Sequence, residues 1–427
     1  MGEKEFETAI IGGGITGLAL KWFLAKANRS ALVIDENWLG GTLRSVNYDQ
    51  FTLELGPQTI ALTPLIKDFF FEIGVKADQI ITARSSELKA YVVHGNQAYA
   101  TPRTPKQLLF SDLFSLKQKL RIFYGLIKKN YLLRDQNAFC SFAEIFGEDC
   151  ARLLVAPLLR GIFAGNLEDL NLAAIFPELY QHLNKGGAVL GYLRAKKNIG
   201  KRVICSLKGG NHQLIRTLLS GIDQKNCLKA SVVKVCPLKN AGFEIYLSDQ
   251  SIARARNVVI AVASDKANSF LGELAPPPLA ELKRMPLMVT HFAYDTFREN
   301  LPEDCFGYLF KEQESRALIG MMFNHNIFEG VAPQSKGLIT ATSNVCDTAI
   351  VANEIKSFLK IKELFLLNRH VWDDGLPLYS SEYFERLRIV KEIENLYKGL
   401  FFAGNDLYGV SIPRRIEVAR EIVDKLL

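Results

Sequence analysis

None of the seven cysteines, at positions 140, 150, 205, 227, 236, 305 and 346, forms a Cys-x-x-Cys pair. An odd, scattered set argues for a reducing compartment and against a disulfide framework or a zinc site. The six histidines show no metal-ligand spacing either, so no metal is expected. No uninterrupted apolar run reaches the ~18 residues that a membrane-crossing helix needs. The first apolar stretch begins within a few residues of Met1. That leaves no room for a cleavable leader and points to the cytoplasm. A large excess of one charge is also missing. Lys and Arg number 52 against 45 Asp and Glu, a net charge of +7 that is too dilute for a nucleic-acid binder.

At 427 residues and 48% hydrophobic, the chain can bury large cores, and its length suggests two or three domains. Its most informative segment runs from Ala9 to Leu18. An apolar stretch leads into Gly12-Gly13-Gly14-Ile15-Thr16-Gly17, with three glycines in a G-x-G-x-x-G spacing, and a helix-like run follows to Lys26. Such a turn lets backbone approach a pyrophosphate and aims a helix N-terminus at its charge. A ribose-binding acid should end the next strand. Ala31-Leu32-Val33-Ile34-Asp35 supplies one, 18 residues past Gly17. A dinucleotide site is expected, and this part alone does not separate NAD from FAD.

Two further segments bear on that choice. A glycine doublet, Gly40-Gly41, with Thr42 and Arg44 beside it, follows Asp35. At the far end, Gly399 to Asn405 reads as a short strand ending at Gly404, and Leu407 to Pro413 leads into a helix reaching Leu427. Pro413 suits a first helical turn. The start of that helix offers N–H groups and partial positive charge where a reduced flavin ring would carry its anion.

Dinucleotide features at both ends imply one domain assembled from separate pieces. Ser206-Leu207-Lys208-Gly209-Gly210 reads as a turn into a helix over 211–219. Strand-like runs at 230–235, 243–247 and 258–262 then suggest a small antiparallel insertion returning to the main sheet. Residues 105–195 read as mainly helical, most clearly over 108–131 and 142–159. Runs at 288–294 and 317–323 read as strands, and 275–278 as a surface turn. Basic residues cluster in two stretches. From Arg103 to Arg134 there are eight Lys and Arg against Asp112 alone, interleaved with apolar side chains. From Lys185 to Lys208 there is no acid. Such segments serve as solvated helix faces or lie on anionic lipid.

These motifs resemble the FAD-dependent amine oxidase and desaturase superfamily and, within it, the protoporphyrinogen oxidases. Glu54-Leu55-Gly56-Pro57 is similar to their E-L-G-P motif. Gly161 to Asn166, with Phe176-Pro177 downstream, resembles their G-[IV]-[FY]-A-G-[ND] block, and Ser206 to Gly210 resembles their S-L-[KR]-G-G turn. The anchors occur in family order across nearly the whole chain.

The resemblance implies an α/β (mixed α+β) fold in three parts. A Rossmann-like FAD-binding domain would comprise 1–75, 203–264 and 371–427. A mixed substrate domain would comprise 76–104 and 265–370, and a helical, membrane-associating or lid region 105–202. It also implies cofactor contacts from Gly12, Gly13, Gly14, Ile15, Thr16 and Gly17 to pyrophosphate, and from Asp35 and Glu36 to ribose. Thr42 lies in the doublet loop. Gly56, Pro57, Gln58 and Thr59 would run beside the flavin ring, Val232 at adenine, and Gly404, Val410, Ser411 and Ile412 at the pyrimidine end. Lys106 would meet a substrate propionate.

The implied chemistry is six-electron oxidation of protoporphyrinogen by hydride transfer to flavin, with oxygen or another acceptor restoring the cofactor. No side chain need act as catalyst. Coproporphyrinogen and an amine are the alternative substrates. Peripheral membrane contact, at the inner face of the cytoplasmic membrane, and a homodimer also accompany the resemblance. The chain departs from the family pattern at Trp38 and Gln58, each in place of a usual arginine. It departs again at Arg414-Arg415, in place of Asp-Cys, and at Val418-Ala419.

Overall fold

The computed structural model describes residues 5–37, 39–84, 88–95, 97–133, 137–197, 203–239, 241–275, 279, 282–299, 301–311 and 317–427. Trp38 and Arg134, named above, lie outside the described residues, as do 198–202 of the second basic stretch and 276–278 of the expected surface turn.

Strand β1 (Glu5–Ile11), helix α1 (Ile15–Lys26) and strand β2 (Ala31–Asp35) form the expected β-turn-α-β unit. Nearly every residue of α1 from Thr16 to Leu24 is buried. That fits a helix apolar on all sides, clamped between a sheet and other helices. β1 and β2 belong to a seven-stranded sheet, which also takes in Cys227–Lys229, Val232–Pro237, Phe243–Leu247, Ile252–Ile260 and Leu400–Phe402. Three distant pieces of chain therefore share one sheet. Pairing is parallel from Cys227–Lys229 through β2, β1 and Ile252–Ile260 to Leu400–Phe402. The expected insertion is the antiparallel meander of Val232–Pro237, Phe243–Leu247 and Ile252–Ile260.

A second seven-stranded sheet has the spatial order Phe365–Pro377, Arg284–Asp295, Lys336–Ser343, Leu318–Phe323, Cys305–Phe310, Lys89–His94 and Gln97–Ala100. The boundary expected at residue 371 falls inside Phe365–Pro377, which stays in this sheet to its end. A small sheet of Ile60–Leu62, Val203–Leu207 and Ile80–Thr82 ties the early and middle segments together.

Between Pro105 and Lys197 the described residues are mainly helical, with two corrections. The run over 108–131 is two helices, Pro105–Leu109 and Leu116–Ile127, rather than one. Ser115 caps the second: its Oγ accepts from the Gln118 N–H, and Gln118 Oε1 accepts from the Ser115 N–H. This reciprocal S-x-x-Q box stops one helix and starts another. The run over 142–159 is likewise interrupted, by a wider turn at Ala151–Val155 between Ala138–Phe146 and Ala156–Phe163. Gly125 lets Leu116–Ile127 touch the backbone of Ala138–Phe146, since a Cβ there would overlap the Ile145 carbonyl.

Candidate flavin site

The parallel register sets the site. Ile11 is level with Ile34 on one side and Ile260 on the other, and Ile260 is level with Phe402. The carboxyl ends of four strands thus open on one crevice, where ligands of such sheets bind. Gly12 to Gly17, Asp35, Ala261 and Gly404 all follow directly from those ends.

Steric facts separate the glycines by role. A Cβ at Gly17 would overlap the carbonyl oxygen of Gly12, so this glycine lets α1 pack on the turn. Gly14 is different. Its φ is −70°, open to any residue, and a Cβ there would meet no protein atom within 4 Å. Neither backbone nor packing demands a glycine at 14, whereas close approach by a ligand would. No side chain caps α1, whose first turn carries no acid. A bare helix N-terminus behind an open glycine fits a pyrophosphate.

The remaining cofactor candidates gather around this turn. The glycine doublet folds onto it: Gly40 N–H donates to Gly13 O at 2.7 Å, and Gly14 bridges Gly40. Asp35 Oδ2 accepts from Gly13 N–H at 2.6 Å, and Oδ1 accepts from Asn37 N–H at 2.9 Å. Each oxygen keeps capacity for a ribose hydroxyl. Glu36 accepts from Ser231 Oγ at 3.1 Å, one residue before Val232. Thr42 is exposed, but its carbonyl abuts Gly56, where a Cβ would overlap it.

The Glu54–Thr59 segment is fixed from four directions. Glu54 is buried: Oε1 accepts from Asn211 N–H at 2.7 Å and Oε2 from Ser45 Oγ at 2.6 Å. Asn211 also donates to Pro57 O at 3.0 Å, joining the turn at 206–210 to this segment. Two side chains of the second sheet reach the same backbone. His291 Nε2 lies 3.0 Å from Glu54 O, and Trp372 Nε1 donates to Leu55 O at 2.7 Å. Gln58 turns its amide inward, donating to Glu54 O at 2.7 Å and Gly56 O at 3.1 Å while its Oε1 accepts from Asn324. Burial pushes the His291 imidazole down to about 4, so it is neutral at ordinary pH and its Nε2–H donates. Burial pushes the Glu54 carboxyl up to about 7 against its two hydrogen bonds. Sequence reading missed His291, Trp372 and Asn324. All lie more than 200 residues from Glu54, and no local pattern marks them.

At the C-terminal end, Ser411 is exposed, Ile412 is buried, and the helix Ile412–Leu426 also lacks a side-chain cap and an acid in its first turn. Pro413 sits in that first turn. Val418 and Ala419 are buried in the core that includes Leu18 and Leu24 of α1. The second residue of the Arg414-Arg415 departure points inward: Arg415 Nε donates to Thr16 Oγ1 at 2.9 Å, joining this helix to α1. Lys106 stands apart. It is exposed on Pro105–Leu109, and no contact among the described residues links it to Glu54–Thr59.

This is the construction of a flavin-dependent oxidoreductase: a dinucleotide turn, a rigid segment to lie along a ring, and a second uncapped helix start. Comparison with known proteins agrees. The profile of flavin containing amine oxidoreductases matches residues 15–426, and the chain belongs to that family. Its cofactor is FAD, the flavin that a dinucleotide turn is built to hold. The chain is 24% identical to coproporphyrinogen III oxidase of Bacillus subtilis, spanning 100% of this chain and 99% of that protein. It is 24% identical to mitochondrial protoporphyrinogen oxidase of Nicotiana tabacum, spanning 98% and 94%. Among solved structures, a protein of Exiguobacterium sp. 255-15 with a provisional protoporphyrinogen oxidase assignment superposes with a TM-score of 0.80. That match has 18% identity and covers 100% and 99% of the two chains.

Two outcomes test the site. Gly14→Val should yield folded protein, judged by circular dichroism, without the yellow flavin spectrum; full FAD content would remove this turn from the site. Glu54→Gln should open a pH-dependent stability gap. A carboxyl raised from 4.5 to about 7 on folding holds its proton only in the native state across that window, so wild type loses stability as pH rises through it. Relative to wild type, the Gln variant should gain, by about 3 kcal/mol at most, and the gap should level off above pH 7. Denaturant melts from pH 4.5 to 8 measure this, and a constant gap would contradict it.

Proposed function

We propose that the chain oxidises a porphyrinogen, with protoporphyrinogen the expected substrate and the macrocycle lying over the Gly56–Thr59 segment. One observation carries this reading. Glu54-Leu55-Gly56-Pro57, the motif by which the chain resembles porphyrinogen oxidases, is the segment held by Trp372, His291, Asn211 and Gln58. FAD supplies the hydride acceptor for a meso carbon, and oxygen is the acceptor proposed to restore it. The chain's own residues orient and exclude. Gly56, flush against Thr42, keeps side-chain bulk away from the ring path. Gln58, folded onto its own turn, keeps a polar head from protruding there. Rigid placement of a large apolar substrate against a ring is what hydride transfer needs. A second reading, coproporphyrinogen oxidation, is favoured by the end-to-end match to the Bacillus subtilis enzyme. The domain division given above belongs to the same proposal, with its last boundary moved beyond Pro377.

The helical region supports a membrane-facing role. Leu116, Leu120, Tyr124 and Ile127 form an exposed apolar stripe at helical spacing, and Phe110 beside it is 72% exposed. Lys106, Lys117 and Lys129 are nearby in the chain. An apolar stripe with cationic neighbours fits the interface of an anionic bilayer, here the inner face of a cytoplasmic membrane. No described helix is long and apolar enough to cross one. Arg121 is not part of the outward face, because its guanidinium donates to the carbonyls of Glu144 and Ile145.

Mixing purified holoprotein with protoporphyrinogen and coproporphyrinogen in air should produce porphyrin fluorescence, faster with the first. A preference for the second selects the alternative, and turnover of neither contradicts the proposal. In that assay Lys106→Ala should raise KM with kcat kept, and an unchanged KM removes Lys106 from the substrate site. Wild type should cosediment with anionic phosphatidylglycerol vesicles, and Leu116→Glu with Leu120→Glu should abolish this without loss of flavin. Wild-type protein remaining in the supernatant would contradict membrane contact.

A further inference from the structure

Arg415 is 4% exposed, yet every described acceptor of its guanidinium is neutral. Nε donates to Thr16 Oγ1 at 2.9 Å, Nη1 to Gly404 O at 3.0 Å and Gly409 O at 3.3 Å, and Nη2 to Ala403 O. Its neighbour Arg414 turns outward to Glu417 and Glu421. Among the described residues no carboxylate lies within ion-pair distance of Arg415.

Asp265 is matched bidentately by Arg284. Asp406, also buried, is held by Ser264 through backbone and hydroxyl and acts on Arg415 only from beyond ion-pair distance. Desolvation opposes the charge on Arg415, pulling it down to about 10, which still leaves it protonated at neutral pH. Burying a charge whose described acceptors are all neutral is costly unless something offsets it. The position suggests what does. Arg415 spans two helix starts that both lack caps and acids, α1 and Ile412–Leu426, and grips the turn between Leu400–Phe402 and the second of them. The first of these starts follows the carboxyl end of β1, and Arg415 ties the second helix to it.

We propose that Arg415 is a positioning residue for the cofactor and a built-in countercharge for its reduced ring. Its fork locks the 403–409 turn to α1. Its fixed positive charge stabilises the negative charge that the ring gains when a hydride, two electrons with one proton, leaves the substrate carbon and joins it. The inference rests on flavin binding and not on which substrate is oxidised.

The test compares the two-electron equilibrium between bound flavin and a reference dye in wild type, Arg415→Lys and Arg415→Met, using proteins loaded with FAD. Lys should stay within about threefold of wild type. Met should shift the equilibrium at least tenfold toward oxidised flavin, about 30 mV for a two-electron couple. An unchanged equilibrium in Met overturns the proposal. A loss of affinity for FAD without any redox shift also overturns it, because that pattern assigns the charge to the pyrophosphate. Should Met not load FAD, Arg415→Gln, which keeps hydrogen-bond donors without charge, replaces it. A shift in Gln but not Lys supports the proposal, and equal values overturn it. Wild type without flavin would refute the cofactor reading itself, separately from this inference.

Discussion

The parallel pairing of Ala31–Asp35, Glu5–Ile11, Ile252–Ile260 and Leu400–Phe402 is the constraint on which the rest depends. These strands come from the beginning, middle and end of the chain. Because they are in register, three loops that share no sequence neighbourhood open at one edge. A shift by one residue would exchange the side chains that face the two cores and would scatter the glycine turn, Asp35 and the C-terminal turn. The sheet therefore aligns these three loops, and the hydrophobic cores on its two faces hold that alignment.

On this base the second sheet reaches across to the flavin side. His291 and Trp372 stand on adjacent strands and bond consecutive carbonyls, those of Glu54 and Leu55. A buried Glu54 at about 7 and a buried neutral His291 cost stability at opposite ends of the pH range. Both sit where they hold the Glu54–Thr59 backbone in place. The arrangement suits chemistry in which the protein orients and the cofactor reacts.

Much of this was legible in the sequence, because the signals were local. The G-x-G-x-x-G turn, the acid ending β2, the meander and Pro413 in the last helix's first turn each show as a pattern within a short stretch of sequence. The break between Pro105–Leu109 and Leu116–Ile127 was legible too, in the Ser115–Gln118 box, but apolar periodicity masked it. What stayed hidden depends on long-range partners. Trp372 meets Leu55 across more than 300 residues, and Arg415 meets Thr16 across almost 400. The continuation of Phe365–Pro377 past residue 371 was hidden for the same reason, since its strand partner is Arg284–Asp295. Arg414 and Arg415 look alike in sequence, and only the helix phase separates the outward ion-pair former from the buried clamp.

The central claim is that this crevice holds a flavin that takes hydride from a porphyrinogen. The most direct measurement is the visible spectrum of the purified holoprotein mixed anaerobically with protoporphyrinogen or coproporphyrinogen, with putrescine as a control amine. The flavin bands should bleach with a porphyrinogen as porphyrin bands rise, and stay unchanged with the amine. A flavin that stays oxidised with both porphyrinogens, or that bleaches only with the amine, would contradict the claim.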